Sequence, residues 1–279
     1  MSIWESIFYG IVQGIAEFLP ISSSGHLAIF QNVFGTGDPD ANISFNILLH
    51  LGTLIAVFFV YWKDIFQLIC SFFTLCGKLF KGNFKFSTYA EGERFVILIL
   101  IATLPLVPAA MIDGAVAALS SSVIVVGVIL LFNALLLFFS DKMARGNKTL
   151  TDVKPRNALA VGLCQMIAIL PGLSRSGSTI TGGLLQGFDR PLAVKFSFIL
   201  SIPAILGACV LELPDFFRTA STEGSTQLLI YLAGAAVAAL TGVGAMKLLT
   251  YISKKSNFRI FSYYCIAAGL FAITWGVFH

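Results

Sequence analysis

Two short stretches of the chain place polar and ionisable side chains in otherwise apolar surroundings. Residues 13–26 (QGIAEFLPISSSGH) contain an amide, a carboxylate, three consecutive hydroxyls and an imidazole. Residues 165–178 (QMIAILPGLSRSGS) contain an amide, three hydroxyls and an arginine. A hydroxyl nucleophile, a neighbouring base and a guanidinium that holds phosphate are the groups that phosphoryl transfer requires. The two stretches are therefore the candidate catalytic region.

The two stretches are related to one another. At a constant offset of 152 residues, positions 10–26 and 162–178 are identical at seven of seventeen positions without a gap. Ordinary composition would give about one identity. The identical pairs are Gly10/Gly162, Gln13/Gln165, Ile15/Ile167, Ala16/Ala168, Ser22/Ser174, Ser24/Ser176 and Gly25/Gly177. This pattern indicates an internal duplication.

The composition is that of an integral membrane protein. Charged residues make up 11% of the chain, less than half of the roughly 25% of soluble domains. The mean hydropathy is +0.88. The expected partners are therefore membrane lipids, and no nucleic-acid partner is expected.

The apolar segments differ in length. Four are too short to cross a hydrocarbon core of about 30 Å and flank the polar turns in pairs; they are residues 5–18 and 26–34, and residues 158–170 and 179–186. Six are long enough to cross; they are residues 43–62, 95–112, 121–140, 192–213, 227–249 and 260–278. An apolar segment at 65–76 is too short to cross and is expected to lie at the interface.

This pattern predicts an all-α integral membrane protein with a single membrane domain over residues 1–279. Each half has one re-entrant helical hairpin plus three transmembrane helices, repeat 1 being about 1–140 and repeat 2 about 158–279. Because three crossings are an odd number, the second half is expected to be inverted relative to the first. Inverted repeats with broken helices at the midplane are typical of transport folds.

The basic residues give the expected orientation. Of the 18 Lys and Arg residues, all but Arg175 and Arg218 fall on one side of this topology. The positive-inside rule assigns that side to the cytoplasm. Both termini and the active site are then expected to face outward.

The two polar turns are expected to meet near mid-membrane and to form an anion site. Each turn leads into a helix whose first N–H groups and positive dipole end attract anions, and Arg175 adds a guanidinium fork suited to phosphate. The predicted ligand is a phosphate or diphosphate with a lipid tail. The predicted phosphate-binding residues are Arg175, Ser22, Ser24, Gly25, Ser174, Ser176, Gly177, Ser178 and Thr179.

Each of these residues also has a structural interpretation. The serines can cap helices or bond across packed helices. Glu17 can be a structural partner of Arg175, and His26 can be a hydrogen-bonded interior histidine.

The runs QGIAEFLPISSSGH and PGLSRSGSTITGG resemble the two signature motifs of the bacterial undecaprenyl-diphosphate phosphatase family of the bacitracin-resistance type. The resemblance implies hydrolysis of undecaprenyl diphosphate to the monophosphate in the bacterial cytoplasmic membrane, which recycles the lipid carrier of cell-wall synthesis. It also implies a divalent cation, Mg²⁺ or Ca²⁺. The family's E/Q-x-x-x-E pattern is met by Gln13 and Glu17, the tentative metal ligands; Gln13 in place of Glu weakens a two-carboxylate metal site. A homodimer is a further expectation.

The predicted catalytic residues are Ser23, His26, Glu17 and Arg175. Ser23 is the expected nucleophile, with Glu17 or His26 as its base and Arg175 stabilising the transferred group. Attack by a water activated by His26 stays open. The alternative function is a transporter or flippase of a polyprenyl phosphate lipid, because broken helices at the midplane also suit a carrier.

Overall fold

A computed structural model describes residues 1–35, 43–82, 85–109, 116, 119–143, 146–220, 224–254 and 258–279. Every named element among these residues is a helix. The α-helices are α1 Ile3–Phe18, α2 Ser23–Phe34, α3 Ile43–Val60, α4 Trp62–Phe80, α5 Glu91–Thr103, α6 Leu106–Ala109, α7 Val123–Met143, α8 Pro155–Ile167, α9 Arg175–Leu185, α10 Arg190–Ala220, α11 Ser225–Lys254 and α12 Arg259–Phe278. Two 3₁₀ turns lie at Phe86–Thr88 and Leu150–Asp152.

Six helices of the described chain are long and apolar enough to cross a membrane, as the sequence predicts. They are Ile43–Val60, Glu91–Ala109, Val123–Lys142, Arg190–Arg218, Ser225–Lys254 and Arg259–Phe278. Large apolar side chains such as Phe59, Phe132 and Leu240 are exposed on their outer faces. Lipid can cover such faces, so they carry no solvation penalty in a bilayer. The chain is therefore a multi-pass membrane protein.

Pro105 interrupts the second of these six segments, Glu91–Ala109. Helix α5 is capped by Leu104, and α6 begins at Leu106, directly after Pro105. Proline cannot donate a backbone hydrogen bond, and its ring disfavours helix at the residue before it. Residues 110–112, the predicted end of this segment, lie outside the described residues.

The four short helices flank the two polar turns. Helices α1 and α2 have 16 and 12 residues, and α8 and α9 have 13 and 11. At 1.5 Å per residue even α1 rises only about 24 Å, which is less than a hydrocarbon core of about 30 Å.

Helices α2 and α9 begin earlier than the sequence predicts. They start at Ser23 and Arg175 rather than at His26 and Thr179. Ser22 and Ser174 act as N-caps, so the polar residues that follow them form the first helical turn.

Glycines let α1 and α8 approach long helices at backbone distance. A Cβ atom on Gly10 would lie 2.4 Å from the carbonyl oxygen of Gly234 in α11. A Cβ atom on Gly162 would lie 2.4 Å from the carbonyl oxygen of Ala102 in α5. Small residues at helix contacts allow this close packing, which positions each short helix against a long one.

One end of the helix bundle collects ion pairs. The carboxylate of Asp141 accepts from Arg190 Nη1 at 3.0 Å and from the backbone N–H of Arg259 at 3.1 Å. Lys195 Nζ lies 2.5 Å from Asp64 Oδ1. These contacts join α4, α7, α10 and α12 at the end where the sequence concentrates its cations.

Both termini lie at the opposite end. Ser6 donates to the carbonyl oxygen of Ile230 at 2.6 Å, and Gln227 Nε2 lies 3.4 Å from the carbonyl oxygen of Met1. The chain start therefore lies beside the start of α11. Helix α12 runs from Arg259, at the ion-pair end, to Phe278. The carboxyl terminus therefore lies at the same end as the amino terminus.

Candidate active site

The first polar turn is held in a strained conformation. Ser22 has φ 73° and is the one non-glycine residue with positive φ in the described part of the chain. A conformation of this kind costs of order 1–3 kcal/mol and recurs at functional sites. The Ser22 hydroxyl accepts from the backbone N–H of Gly25 at 3.2 Å, which caps α2.

The second polar turn repeats this cap without the strain at serine. The Ser174 hydroxyl accepts from the backbone N–H of Gly177 at 3.1 Å. The positive φ lies instead at Gly172, with φ 94°, which glycine adopts at no steric cost.

The two turns are in direct contact. A Cβ atom on Gly25 would lie 3.0 Å from Gly172 Cα, and a Cβ atom on Gly177 would lie 3.2 Å from Pro20 Cβ. The Ser176 hydroxyl lies 3.3 Å from the carbonyl oxygen of Leu19. The structure thus brings together the two stretches that the sequence singles out.

Asn133 of α7 ties the turns to one another. Its Nδ2 donates to the carbonyl oxygen of Pro20 at 3.1 Å, and its Oδ1 accepts from the backbone N–H of Ser174 at 3.2 Å. The side chain is fully buried. Sequence analysis missed this residue, although an amide within the apolar run 121–140 was a usable signal.

Glu17 is the centre of the contacts between the functional side chains. The Ser23 hydroxyl donates to Glu17 Oε2 at 2.6 Å, and Gln13 Nε2 donates to the same oxygen at 3.2 Å. Arg175 Nη2 donates to Glu17 Oε1 in a salt bridge. The side chains of Glu17 and Arg175 are 6% and 18% exposed, so the pair is largely shielded from solvent.

His26 lies on another side of the first turn. Its Nδ1 lies 2.7 Å from the carbonyl oxygen of Ser22 and its Nε2 lies 2.8 Å from the Tyr264 hydroxyl. The His26 and Tyr264 rings stack with centroids 5.5 Å apart. Both ring nitrogens are thus engaged away from Ser23. No sequence signal pointed to Tyr264.

The remaining predicted phosphate-binding residues are arranged unequally. Ser24 is exposed and lies 3.3 Å from the Ser22 hydroxyl. Ser176 is buried, with its hydroxyl 3.1 Å from that of Ser174. These hydroxyls line the two turns rather than the contact between Glu17 and Arg175.

Two further predicted residues lie within α9. The Ser178 hydroxyl is buried without a hydrogen-bond partner among the described residues. The Thr179 hydroxyl lies 2.9 Å from the carbonyl oxygen of Arg175 and 2.6 Å from Ser197 Oγ. Thr179 therefore has structural partners, whereas the Ser178 hydroxyl has none among the described residues and does not line the cavity described below.

A cavity of about 860 Å³ adjoins the Glu17–Arg175 pair. Its polar wall includes Glu17, Arg175, Gln165 and His50, and its apolar wall is formed mainly by residues 203–211 of α10. Neither Ser23 nor His26 belongs to its lining. Of the predicted catalytic residues, the cavity is therefore lined by Glu17 and Arg175.

The predicted metal ligands were tested against their surroundings. No group of three or more His, Cys, Asp or Glu that could hold a metal occurs in the described ranges. Gln13 Oε1, however, is buried without a partner there, one helical turn from the Glu17 carboxylate. Mg²⁺ and Ca²⁺ prefer oxygen ligands, and Mg²⁺ keeps several waters. The two side chains therefore fit a hydrated cation that also binds substrate oxygens.

Comparison with known proteins gives consistent matches over nearly the whole chain. The model of the family described as bacitracin resistance protein BacA matches residues 6–271. An undecaprenyl-diphosphatase of Halothermothrix orenii is 42% identical over 274 residues, covering 98% of each chain. An undecaprenyl-diphosphatase of Alkaliphilus metalliredigens is 40% identical over 275 residues, and one of Methanosphaera stadtmanae is 38% identical over 277 residues, each again covering 98% of both chains.

Proposed function

The chain belongs to the bacitracin resistance protein BacA family, and from this premise we propose that it hydrolyses undecaprenyl diphosphate to undecaprenyl phosphate and phosphate. The family resemblance of the two motifs is confirmed by the match over residues 6–271. The relatives named undecaprenyl-diphosphatase support the same enzyme activity for this chain. The observation that carries the proposal is the contact of Ser23 and Arg175, from separate turns, with the single carboxylate of Glu17.

We further propose that the two halves form an inverted repeat with re-entrant hairpins. Three pairs of equivalent contacts support this arrangement at the 152-residue offset. Ser22 and Ser174 make the same cap to Gly25 and Gly177. The Gly25–Gly172 approach has its counterpart in the Gly177–Pro20 approach. Gly10 and Gly162 each approach a backbone carbonyl oxygen of a long helix.

The orientation follows from the charge distribution. We propose that the ion-pair end around Asp141 faces the cytoplasm, because positive residues concentrate on that side. Both termini and the active site then face outward from the bacterial cytoplasmic membrane.

The first chemical step that we propose is attack by Ser23. Its oxygen forms a bond to the terminal phosphorus as the bond between that phosphorus and the bridging oxygen breaks. Undecaprenyl phosphate leaves with the bridging oxygen, and the Ser23 proton passes to Glu17 Oε2, 2.6 Å away. Water then attacks the phosphorus of the phosphoserine as the bond between phosphorus and Ser23 Oγ breaks; the Ser23 oxygen regains the proton held by Glu17, and phosphate leaves with the oxygen and protons of the water. Glu17 rather than His26 is the base in this scheme, because Glu17 already accepts the Ser23 hydrogen bond.

Substrate binding must rearrange the Glu17–Arg175 salt bridge. Arg175 lines the cavity, with Nη2 on Glu17 and Nη1 buried without a partner in the described chain. A phosphate offers Arg175 two oxygens in the geometry of its fork. We therefore propose that the terminal phosphate replaces Glu17 as the partner of Arg175. The Glu17 carboxylate is then free to act as the base. The buried Ser178 hydroxyl is available to add a further hydrogen bond.

A divalent cation is proposed at Gln13 and Glu17. Bound there, Mg²⁺ or Ca²⁺ would supply positive charge against the phosphate oxygens. Two side chains position the reacting groups. Gln13 holds Glu17 in place through its Nε2, and Arg175 binds the phosphate.

Phosphate release from a prenyl diphosphate by the purified protein in detergent tests the function. Ser23→Ala is expected to lower kcat by roughly three orders of magnitude, because no hydroxyl remains to attack. Chelation should abolish activity, and Mg²⁺ or Ca²⁺ should restore it. Ser201→Ala is the matched control, since the Ser201 hydroxyl bonds only within α10, to the carbonyl oxygen of Phe198 at 2.7 Å; its activity should stay within twofold.

Activity of Ser23→Ala within tenfold of wild type would exclude Ser23 as the nucleophile. Binding of the lipid diphosphate by wild-type protein without any phosphate release would instead favour the carrier function.

A further inference from the structure

Gln165 of α8 is buried with an unused hydrogen-bonding side chain. It is 1% exposed, and neither its Nε2 nor its Oε1 has a hydrogen-bond partner among the described residues. Buried polar groups are nearly always hydrogen-bonded, so an amide with two unpaired atoms calls for an explanation. Its counterpart in the first half, Gln13, donates a hydrogen bond from its Nε2 to Glu17. Gln165 has no equivalent carboxylate, because residue 169 is isoleucine.

The position of Gln165 indicates what it binds. It lines the same cavity as Glu17 and Arg175. Arg175 Nη1 is likewise buried without a partner in that part of the chain. Two residues that line one cavity therefore each have a buried donor without a partner in the described chain, which suits a ligand rich in acceptor oxygens.

The chemistry of the lining residues indicates which phosphate lies near Gln165. Ser23 donates to Glu17 and does not line the cavity, whereas Glu17, Arg175, Gln165 and the apolar residues at 203–211 do. A lipid diphosphate carries a terminal phosphate, a second phosphate and then hydrocarbon. With the terminal phosphate at Ser23, as proposed above, the second phosphate is the one that lies with the hydrocarbon in the cavity that Gln165 lines.

We propose that the Gln165 side-chain amide donates to the lipid-side phosphate and so selects diphosphate over monophosphate lipids. This inference rests on the proposed function, since that function places the terminal phosphate at Ser23. A monophosphate seated at Ser23 and Arg175 leaves Gln165 unpaired, whereas a diphosphate satisfies it. Satisfying a buried unpaired group is a strong source of substrate discrimination.

Gln165→Leu separates this role from a structural one. Removing an unsatisfied buried amide should leave the melting temperature unchanged or raised, because no hydrogen bond is lost. The KM for farnesyl diphosphate should nevertheless rise at least tenfold. Thr103→Val is the control: Thr103 lines the same cavity, but its hydroxyl already bonds to the carbonyl oxygen of Ile99 at 2.8 Å. Its KM should change less than twofold. Gln165→Met, which keeps the length without the donors, should repeat the effect if the leucine variant does not fold.

A binding measurement distinguishes failure of this inference from failure of the proposed function. By calorimetry in the Ser23→Ala background, Gln165→Leu should weaken farnesyl diphosphate binding at least tenfold and farnesyl phosphate binding less than twofold. Equal losses for the two ligands, or no loss, would overturn the role of Gln165 even if wild-type protein hydrolyses the substrate. A selective loss of diphosphate binding, together with no phosphate release by the wild-type protein, would support the role of Gln165 and exclude the hydrolase function.

Discussion

Arg175 is the residue on which both halves of the site depend. It binds Glu17 through Nη2, and its Nη1 has no partner among the described residues, so under the proposed mechanism a phosphate can contact Nη1 before it replaces Glu17 at Nη2. Lysine offers a single charged nitrogen without the planar fork. The guanidinium therefore does more than neutralise a buried carboxylate.

Arg175→Lys is expected to lower kcat/KM by about 10²- to 10³-fold, because the bidentate phosphate contact is lost while the charge is kept. The melting temperature should change little, since lysine can still pair with Glu17. Arg218→Lys, at an exposed arginine beside Asp215, is the control and should keep normal activity. Rates for Arg175→Lys within tenfold of wild type would argue against the fork as the phosphate ligand. Phosphate release and thermal unfolding in detergent measure both quantities.

At this scale the sequence predicts the residues better than their partners. Glu17, Ser23 and Arg175 are identifiable because polar groups in an apolar segment are costly, of order 2.5–3.5 kcal/mol for a charge at mid-bilayer. The choice between Glu17 and His26 as the base depends on the direction in which each side chain leaves the first turn. Residue spacing does not fix that direction. Tyr264 enters the site only through packing of a distant helix.

At the scale of elements, the short helices are positioned by close backbone contacts at glycine. Each of Gly10 and Gly162 leaves room for a carbonyl oxygen of a neighbouring helix at a distance that no side chain permits. The four short helices are too short to cross the membrane by themselves, so their depth depends on these contacts.

Gly162→Ala is expected to destabilise the protein by about 1–3 kcal/mol, the usual cost of overpacking, because the new Cβ would lie 2.4 Å from the backbone of Ala102. Gly10→Ala should have a similar cost for the same reason. Gly244→Ala is the control in a helix interior, with nothing within 4 Å of the added Cβ. It should raise stability by roughly 0.5–1 kcal/mol, because alanine is the better helix former. Denaturant or thermal unfolding in detergent compares the three, and equal stabilities would refute the packing role.

The positions of the helices were predicted better than the residues at which they begin and end. The apolar pattern located all six long helices, but α10 and α11 extend past the predicted 213 and 249 to Ala220 and Lys254. Hydropathy marks where a segment stops being apolar, whereas backbone hydrogen bonding carries the helix further. The early starts of α2 and α9 were missed because serine is a poor residue in helix interiors but a strong N-cap.

At the scale of the whole molecule, the ion pairs and the termini occupy opposite ends. The predicted clustering of cations is visible as contacts among four helices around Asp141 and Lys195. Composition therefore indicated the class of the protein, and the charge distribution indicated the end at which its ion pairs gather. The contact between the turns required the packed helices, since Asn133 and the glycines act over long sequence separations.

Labelling of intact cells tests the proposed orientation. In a variant with the five native cysteines replaced, Asn147→Cys should resist a membrane-impermeant maleimide, because residue 147 lies at the ion-pair end proposed to face the cytoplasm. Ser225→Cys, at the exposed start of α11 beside the chain terminus, should react. Both should react after the membrane is opened. The reverse pattern in intact cells would invert the topology.

The salt bridge between Glu17 and Arg175 has a consequence for synthesis of the protein. The two partners are 158 residues apart, so the ribosome delivers the carboxylate to the membrane long before the guanidinium. Until Arg175 has been made, Glu17 lacks the cation that compensates its buried charge. A chain truncated between the two residues would hold Ser23 and Glu17 without the guanidinium, and under the proposed mechanism it would be inactive. The site therefore cannot assemble before the second polar turn has entered the membrane.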